Sequence, residues 1–118
     1  MTDYPFSREL RLLTPSDFSQ VFQEATAATS PSITILARKN ELGHSRLGLA
    51  IAKKRVKKAV ARNRIKRIAR DSFRHHQQHL PSIDIVLMAK SGADLKTNEE
   101  LHSTMEKLWK KIAQRCKK

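Results

Sequence analysis

The sequence is poor in acidic residues, cysteine and long apolar runs. Only 11 of its 118 residues are Asp or Glu, against 24 Lys or Arg, which leaves a net charge of +13. The single cysteine, Cys116, excludes an internal disulfide and favours a reducing, cytoplasmic location. No apolar run approaches the roughly 18 residues of a membrane-spanning helix. The first ten residues also lack the basic flank and apolar run of a signal peptide, so we expect no insertion into a membrane.

The shortage of glycine and of paired acids argues against nucleotide-binding loops and catalytic sites. Three glycines cannot build a P-loop or a dinucleotide-binding loop. His75, His76 and His79 lie close together, but no cysteine or carboxylate stands at metal-ligand spacing beside them. We interpret these histidines as solvated or as facing a nucleic acid. The sequence therefore predicts no catalytic residues and no metal site in the protein itself.

The residues that are present suffice for one folded domain. Hydrophobic residues make up 39% of the chain and recur with regular spacing, which a disordered basic tail would lack. The length predicts a single domain over residues 1–118, with flexible ends at 1–7 and 116–118. A charge of +13 repels itself unless a polyanion binds. Nucleic acid is the default partner of such a chain, and an anionic membrane surface is the second.

The segment "TPSDFSQVF" predicts a short helix near the start of the chain. Thr14 can cap its first turn, and Asp17 suits the positive end of the helix dipole. Leu13 and Phe18 have the spacing of a hydrophobic staple, and the helix is expected to end near Glu24. One side of this helix carries Phe18, Val21 and Phe22.

Alternating apolar residues in "PSITILAR" and "RLGLAIAK" predict two strands, joined by the turn-rich "NELGHS". One face of the second strand carries only Gly48, Ala50 and Ala52. Such a face is either tightly covered by a neighbour or left open as the floor of a groove. The nearly continuous apolar segment "SIDIVLMAK" predicts a central strand that is covered on both faces.

The final segment, "TNEELHSTMEKLWKKIAQRCKK", predicts a second amphipathic helix. Thr97 and Glu100 have the spacing of a capping box. An apolar stripe with helical period follows, and we interpret it as core: Leu101, Met105, Leu108, Trp109, Ile112 and Cys116. The residues therefore predict an α+β sandwich, in which helices pack against a small sheet.

The most basic stretch lies between Lys53 and Arg74, where eleven residues are Lys or Arg and only Asp71 is acidic. Helical phasing at 100° per residue places one set together on a buried side: Ala61, Ile65, Ile68, Ala69 and Ser72, with Phe73 at its margin. The opposite side carries Asn63, Arg67, Arg70 and Arg74. Arg64 and Lys66 flank that side, and Arg62 borders the buried stripe.

A solvated helix face normally mixes charges of both signs, whereas this one is almost purely cationic. Arginine suits phosphate because its planar guanidinium can donate two hydrogen bonds at once. The basic segment before the helix adds charge near the helix start, where backbone N–H groups also bind phosphate: Lys53, Lys54, Arg55, Lys57 and Lys58. These features indicate a nucleic-acid-binding surface without specifying which nucleic acid.

Aromatic residues are only 5% of the chain, so platforms for base stacking must be few. Phe73 and Trp109 are accounted for as core. Phe18 and Phe22 lie one turn apart on the first helix. They are either core residues or the wall of a groove in which unpaired bases stack.

The segment "ARNRIKRIARDSF" resembles the Arg-Asn-Arg signature of the bacterial ribonuclease P protein subunit. The resemblance extends, in the order of that family, to "RELRLLTPSDFSQVF", "LGLAIAKKRVKKAVARNRIKR" and "DIVLMAKSGA", and covers roughly residues 8–112. The first and last of these segments are similar to gammaproteobacterial members. The resemblance implies a helix–three strands–helix–strand–helix order, with a further short strand around Thr26–Thr29 and a left-handed crossover between parallel strands. This is a fold class also found in ribosomal proteins.

The resemblance also implies an activity, removal of the 5′ leader from precursor tRNA. In that family an RNA subunit performs the hydrolysis with Mg²⁺, and the protein binds both this catalytic RNA and the leader. No further protein partner is expected. The residues expected at the RNA subunit are Lys53, Lys54, Arg55, Lys57, Lys58, Arg62, Asn63, Arg64, Lys66, Arg67, Arg70 and Arg74. Those expected at the leader are Arg11, Phe18, Phe22, Leu36, Gly48, Ala50 and Ala52, where Leu36 replaces an aromatic residue of some relatives.

Two other classes of nucleic-acid-binding protein share some of these features. A structural RNA-binding protein of ribosomal type would have the same basic charge and a small α+β fold. A DNA-binding protein would place the basic helix in a major groove, usually as a dimer. The sequence shows no dimer seam and no helix-turn-helix, so the DNA-binding hypothesis is the weaker one.

Overall fold

The computed structural model of the protein describes residues 11–116, apart from Leu13 and Glu24. Over these residues the chain forms three α-helices and four strands, with short 3₁₀ turns at Gln77–His79 and Ala93–Leu95. The α-helices and strands are α1 (Pro15–Gln23), β1 (Thr26–Thr29), β2 (Ile33–Lys39), β3 (Arg46–Leu49), α2 (Ala59–His76), β4 (Ile83–Ala89) and α3 (Asn98–Arg115). The order confirms the helix–three strands–helix–strand–helix prediction, including the short strand β1 that only the family resemblance implied.

The four strands form one mixed sheet in the order β1-β2-β4-β3. β4 pairs antiparallel with β2 and parallel with β3, and α2 connects the two parallel strands. This central position explains why β4 is buried almost throughout, as its apolar sequence predicted. The crossover between parallel strands is thus confirmed, whereas its left-handed sense stays a prediction from the resemblance.

The main core lies between one face of the sheet and the helices α2 and α3. The predicted stripe of α3 is buried, and so is the predicted inner side of α2 except Ala61, which is half-buried against the same core. Phe73, expected at the margin of that side, is fully buried and meets Trp109 edge-on, with ring centroids 5.9 Å apart. Trp109 Nε1 donates a hydrogen bond to Ser72 Oγ at 2.8 Å, which satisfies both polar groups inside the core.

Capping explains where α1 and α3 begin. The Thr97 hydroxyl accepts from the Glu100 N–H, and the Glu100 carboxylate accepts from the Thr97 N–H, which confirms the predicted capping box. Thr14 and Asp17 form the same reciprocal pair at α1. The expected staple residue Leu13 and the expected helix end at Glu24 lie outside the described residues.

β3 is shorter than the alternating sequence predicts, since it ends at Leu49 rather than near Lys53. The next N–H, of Ala50, still donates to Leu87 O at 2.9 Å. The chain then turns, because Ala52 O accepts from two backbone N–H groups, those of Arg55 at 3.0 Å and Val56 at 3.1 Å. This turn buries Val56 completely and leaves the neighbouring lysines exposed.

The two outer strands each have a contact on their far side. Next to β3, Arg11 forms a parallel bridge with Leu47, and Leu12 N–H donates to Leu47 O at 3.1 Å. Next to β1, the Arg115 guanidinium donates to Ala27 O. Cys116 packs into the main core, and burial raises the pKa of its thiol. The other predicted flexible residues, 1–7 and 117–118, lie outside the described part of the chain.

Candidate nucleic-acid interface

The main core fixes which side of α2 faces outward. Ile65, Ile68, Ala69, Ser72 and Phe73 point into the core, as helical phasing predicted. On the opposite side Asn63, Arg67 and Arg70 are exposed, while Arg74 is half-buried and paired with Asp71. A cationic ridge is therefore held rigidly on the protein surface.

The lead-in segment, residues 53–58, extends this cationic surface at the start of α2. All five of its basic residues are exposed: Lys53, Lys54, Arg55, Lys57 and Lys58. Lys58 occupies the N-cap position and makes no side-chain capping bond, and no acid lies in the first turn of α2. The start of α2 therefore presents lysines together with the positive end of the helix dipole, an arrangement suited to phosphate.

Arg62 lies at the border of the buried stripe, as predicted, and its guanidinium bonds to the protein's own backbone. Its Nη1 donates to Val56 O at 3.0 Å and to Lys57 O at 2.8 Å. These bonds join the first turns of α2 to the lead-in segment. The Arg62 side chain thereby holds the lead-in segment against the start of α2.

Arg64 bonds to the segment that precedes α3. Its Nη1 donates to Asn98 Oδ1 at 2.6 Å, and its Nη2 donates to the backbone oxygens of Asp94 and Lys96, each at 3.0 Å. Arg64 thus joins α2 to the start of α3. Sequence reasoning missed this role because the three partners lie 30, 32 and 34 positions further along the chain.

The second face of the sheet is only partly covered. Gly48, Val86 and Leu36 lie side by side on it in the strand register, and Met88 lies beside Thr34 one step further. Val86 belongs to a small second core with Leu12, Val21 and Phe18, so α1 covers this row. Ala50 and Ala52 were predicted on this face but lie beyond the end of β3, where Ala50 is half-buried and Ala52 is exposed.

Close contact with α1 explains the glycine in β3. A Cβ placed on Gly48 would lie 2.7 and 2.8 Å from two ring carbons of Phe18 and 2.9 Å from Leu12 Cδ1. Of the two alternatives for the Gly-Ala-Ala face, tight cover therefore holds at Gly48. Phe18 is a packing residue on its inner side.

Phe22 lies one turn beyond Phe18 and is 48% exposed, which is unusual for so large an apolar side chain. Leu36 is half-buried and Arg11 is exposed. Met88 is also half-buried on this face, and sequence reasoning missed it. Met88 follows Leu87, which faces the main core, so the alternation of side chains along a strand could have placed Met88 on the second face. Phe22 is therefore an exposed aromatic ring on α1, and the sheet face beneath α1 is only partly covered at Leu36, Ala50 and Met88.

Charged residues anchor α1 at the other end of this face. Asp84 lies between Arg38 and Arg46 in the register, and Arg46 binds it through two bonds, Nε to Oδ1 at 2.8 Å and Nη2 to Oδ2 at 2.7 Å. Arg46 also lies 3.8 Å from Asp17, and Arg38 donates to Gln20 O at 3.0 Å. The hydrogen bond to Asp84 is the main reason that the pKa of Arg46 is raised. Sequence reasoning missed this network.

Replacing Gly48 with alanine is expected to lower the free energy of unfolding by about 1–3 kcal/mol, because the new methyl group must displace Phe18 and Leu12. Urea unfolding measures the loss. Shortening the ring with Phe18→Leu makes room, so the double variant is expected to lose less than the sum of the two single variants. Additive losses would show that the contact with Phe18 is not the cause.

The described residues hold no candidate metal site and no membrane-spanning helix. Residues 11–116, without 13 and 24, contain no group of three or more His, Cys, Asp or Glu placed to hold a metal ion. None of the helices in this part of the chain has both the length and the apolar character needed to cross a lipid bilayer.

A cationic helix on one face of a small sheet, with a partly covered face and an exposed aromatic ring on the other, is typical of an α+β nucleic-acid-binding protein. A sequence profile described as Ribonuclease P matches residues 6–113. The chain is 60% identical over 118 residues to the ribonuclease P protein component of Pseudoalteromonas atlantica, covering 100% of this chain and 98% of the relative. It is 53% identical over 113 residues to that of Vibrio campbellii, covering 96% of each. The chain belongs to the ribonuclease P protein family.

Solved structures agree with this assignment. The fold is similar to the RNase P protein of Staphylococcus aureus, with a TM-score of 0.81 and 28% identity over 87% of this chain and 94% of that one. It is also similar to the RNase P protein of Thermotoga maritima, with a TM-score of 0.71 and 28% identity over 92% of this chain and 98% of that one. The resemblance seen in the sequence is thus confirmed, and a structural protein of ribosomal type is not favoured.

Proposed function

We propose that this protein is the non-catalytic subunit of ribonuclease P and binds the catalytic RNA through the cationic ridge of α2 and the lead-in segment. The observation that carries this proposal is that Arg67 and Arg70 are exposed and have no hydrogen-bond or ion-pair partner within the described residues. Both lie on a helix whose other side is locked in the core. Like charges held this way repel one another until a polyanion binds.

RNA phosphates provide what this surface lacks. Each guanidinium can donate two parallel hydrogen bonds to a phosphate, and each contact releases condensed counterions from the RNA. Hydrolysis and its Mg²⁺ ions belong to the RNA subunit in this proposal. The protein lowers the repulsion between the phosphates of the RNA subunit and those of its substrate, which reduces the Mg²⁺ concentration that cleavage needs.

The partly covered sheet face beside α1 is the proposed groove for the single-stranded 5′ leader of precursor tRNA. Bases of single-stranded RNA stack on exposed aromatic rings, and Phe22 offers such a ring. Phe18, packed on Gly48, supports α1 from beneath. Ala50, Leu36 and Met88 give the groove an apolar floor, and Arg11 adds a cation near it. With Leu36 in place of an aromatic residue, Phe22 carries most of the stacking.

Reconstitution tests this function. The protein mixed with its cognate RNA is expected to cleave precursor tRNA at low Mg²⁺, where the RNA alone is slow. Absence of stimulation would overturn the proposal, and so would cleavage by the protein alone. Recovery of the RNA bound in lysate provides a second check, since ribosomal RNA as the dominant partner would favour the ribosomal type of protein. We place the subunit in the cytoplasm, where Cys116 stays reduced.

Replacing Phe22 with alanine is expected to weaken binding of precursor tRNA to the holoenzyme by about 1–3 kcal/mol, because one stacked base loses its platform. Mature tRNA, which has no leader, is expected to bind unchanged. Leu42→Ala is a matched control, since Leu42 is also an apolar side chain exposed to a similar degree, at 51%. Equal losses for precursor and mature tRNA would mean that Phe22 has no contact with the leader.

A further inference from the structure

A groove of about 480 Å³ lies between α2 and α3 on the outer surface. Side chains of α2 and of α3 line it: Arg67, Arg70, Asp71 and Arg74 from the first helix, and Asn98 and His102 from the second. The helices run in the same direction here, because Arg64 contacts Asn98, and His76, further along α2, lies 3.4 Å from Glu106. One wall of the groove is therefore the cationic ridge of α2, and the other wall is α3.

The charge inside this groove is not balanced. Its only acid among the described lining residues is Asp71, which pairs with Arg74 and lies 4.0 Å from His102 Nε2. Arg67 and Arg70 remain without a partner within the described part of the chain. Two uncompensated guanidinium groups thus face a space that already has walls on two sides.

The contact between Arg64 and Asn98 orients a further donor. A guanidinium has no acceptor, so the atom of Asn98 that receives Arg64 Nη1 at 2.6 Å must be the amide oxygen. The amide nitrogen of Asn98 is then left with two N–H donors on the residue that lines the groove. His102, one turn along α3, has a ring N–H in either of its protonation states.

We propose that this groove binds one phosphate group of the catalytic RNA, held between α2 and α3. Arg67 and Arg70 supply the charge, and Asn98 Nδ2 and the His102 ring supply hydrogen bonds from the opposite wall. Arg64 is a positioning residue that holds Asn98 rather than a direct phosphate contact. The inference rests on the proposed function and adds α3 to the RNA interface. A phosphate fits because the groove offers donors and positive charge but only one acid, which is already paired.

Asn98→Asp is the sharpest test. Aspartate keeps the acceptor that Arg64 needs but replaces the amide donors with a second carboxylate oxygen, which repels phosphate. Binding to the cognate RNA is expected to weaken about tenfold, measured by filter binding of the full-length protein over a KCl series. Ser103→Asp is the matched control. It makes the same change in charge on an exposed position of α3 outside the groove, and is expected to change the affinity less than about twofold.

Equal affinities for the two variants, with both proteins folded by thermal unfolding, would overturn the phosphate site. That outcome differs from failure of the proposed function, in which the unaltered protein itself neither binds nor stimulates the RNA. Arg64→Lys tests the positioning role because lysine keeps the charge but cannot make all three bonds. We expect Arg64→Lys to weaken RNA binding, and to do so much less when Asn98 is already alanine. Losses that simply add would show that Arg64 does not act through Asn98.

Discussion

Replacing Arg67 and Arg70 together with alanine is expected to weaken binding to the catalytic RNA by about 10- to 100-fold near physiological salt, because two phosphate contacts are lost. The plot of log K against log[salt] is expected to flatten by about 1.4–1.8, at about 0.7–0.9 for each lost contact. Neither side chain has a partner within the described residues. The free energy of unfolding is therefore expected to be unchanged or to rise, because repulsion on α2 is relieved.

Lys110→Ala with Lys111→Ala is the control for net charge. These two lysines are exposed on α3 and do not line the α2–α3 groove, so the double variant removes the same total charge from another surface. Its salt dependence is expected to stay close to that of the unaltered protein. If both double variants flatten the plot equally, binding follows total charge and α2 is no specific contact surface.

Replacing Asp84 with alanine is expected to lower the free energy of unfolding by about 3–5 kcal/mol, the range for breaking a buried ion pair by removing one partner. Asp84 is only 6% exposed. It accepts two bonds from Arg46 and a third from Asn40 Nδ2 at 2.7 Å. Its loss leaves the Arg46 guanidinium without its main counter-charge, close to Asp17 of α1. Urea unfolding measures the change.

Asp94→Ala is the matched control, since Asp94 is exposed and contributes its backbone oxygen, not its side chain, to Arg64. It is expected to change the free energy of unfolding by less than about 0.5 kcal/mol. Replacing both members of the buried pair, with Asp84→Leu and Arg46→Met, is expected to recover much of the lost stability. A single Asp84→Ala variant as stable as Asp94→Ala would show that the pair contributes little.

Local patterns in the sequence predicted most of the fold. The Thr97 and Glu100 capping box, the apolar stripe of α3 and the buried side of α2 depend on residues a few positions apart, and the structure confirms them. β1 escaped this reasoning because only one of its four residues, Ala28, is buried, which leaves no alternating pattern to detect. The family resemblance supplied that strand.

The candidate site was less predictable because its key contacts join distant segments. Helical phasing placed Arg64 beside the cationic ridge but could not show its three bonds to residues 94–98. Phasing alone does not separate Arg64 from Arg67, whereas the structure shows that Arg64 is bonded within the protein and that Arg67 and Arg70 have no partner among the described residues. The apolar segment around Asp84 predicts a strand, but the partners of Asp84 lie 38 and 44 positions away, so no local pattern indicates its ion pair.

The contacts on the outer strands bear on whether two copies of the free protein can pair through their sheets. A strand with a free row of backbone groups recruits strands from other molecules, and aggregation follows. Here β3 has Leu12 bonded to its far side, and β1 has the Arg115 guanidinium on Ala27 O. Both strands are also only four residues long. Each edge of the sheet is thus short and occupied at one position, which disfavours the addition of a strand from a second molecule.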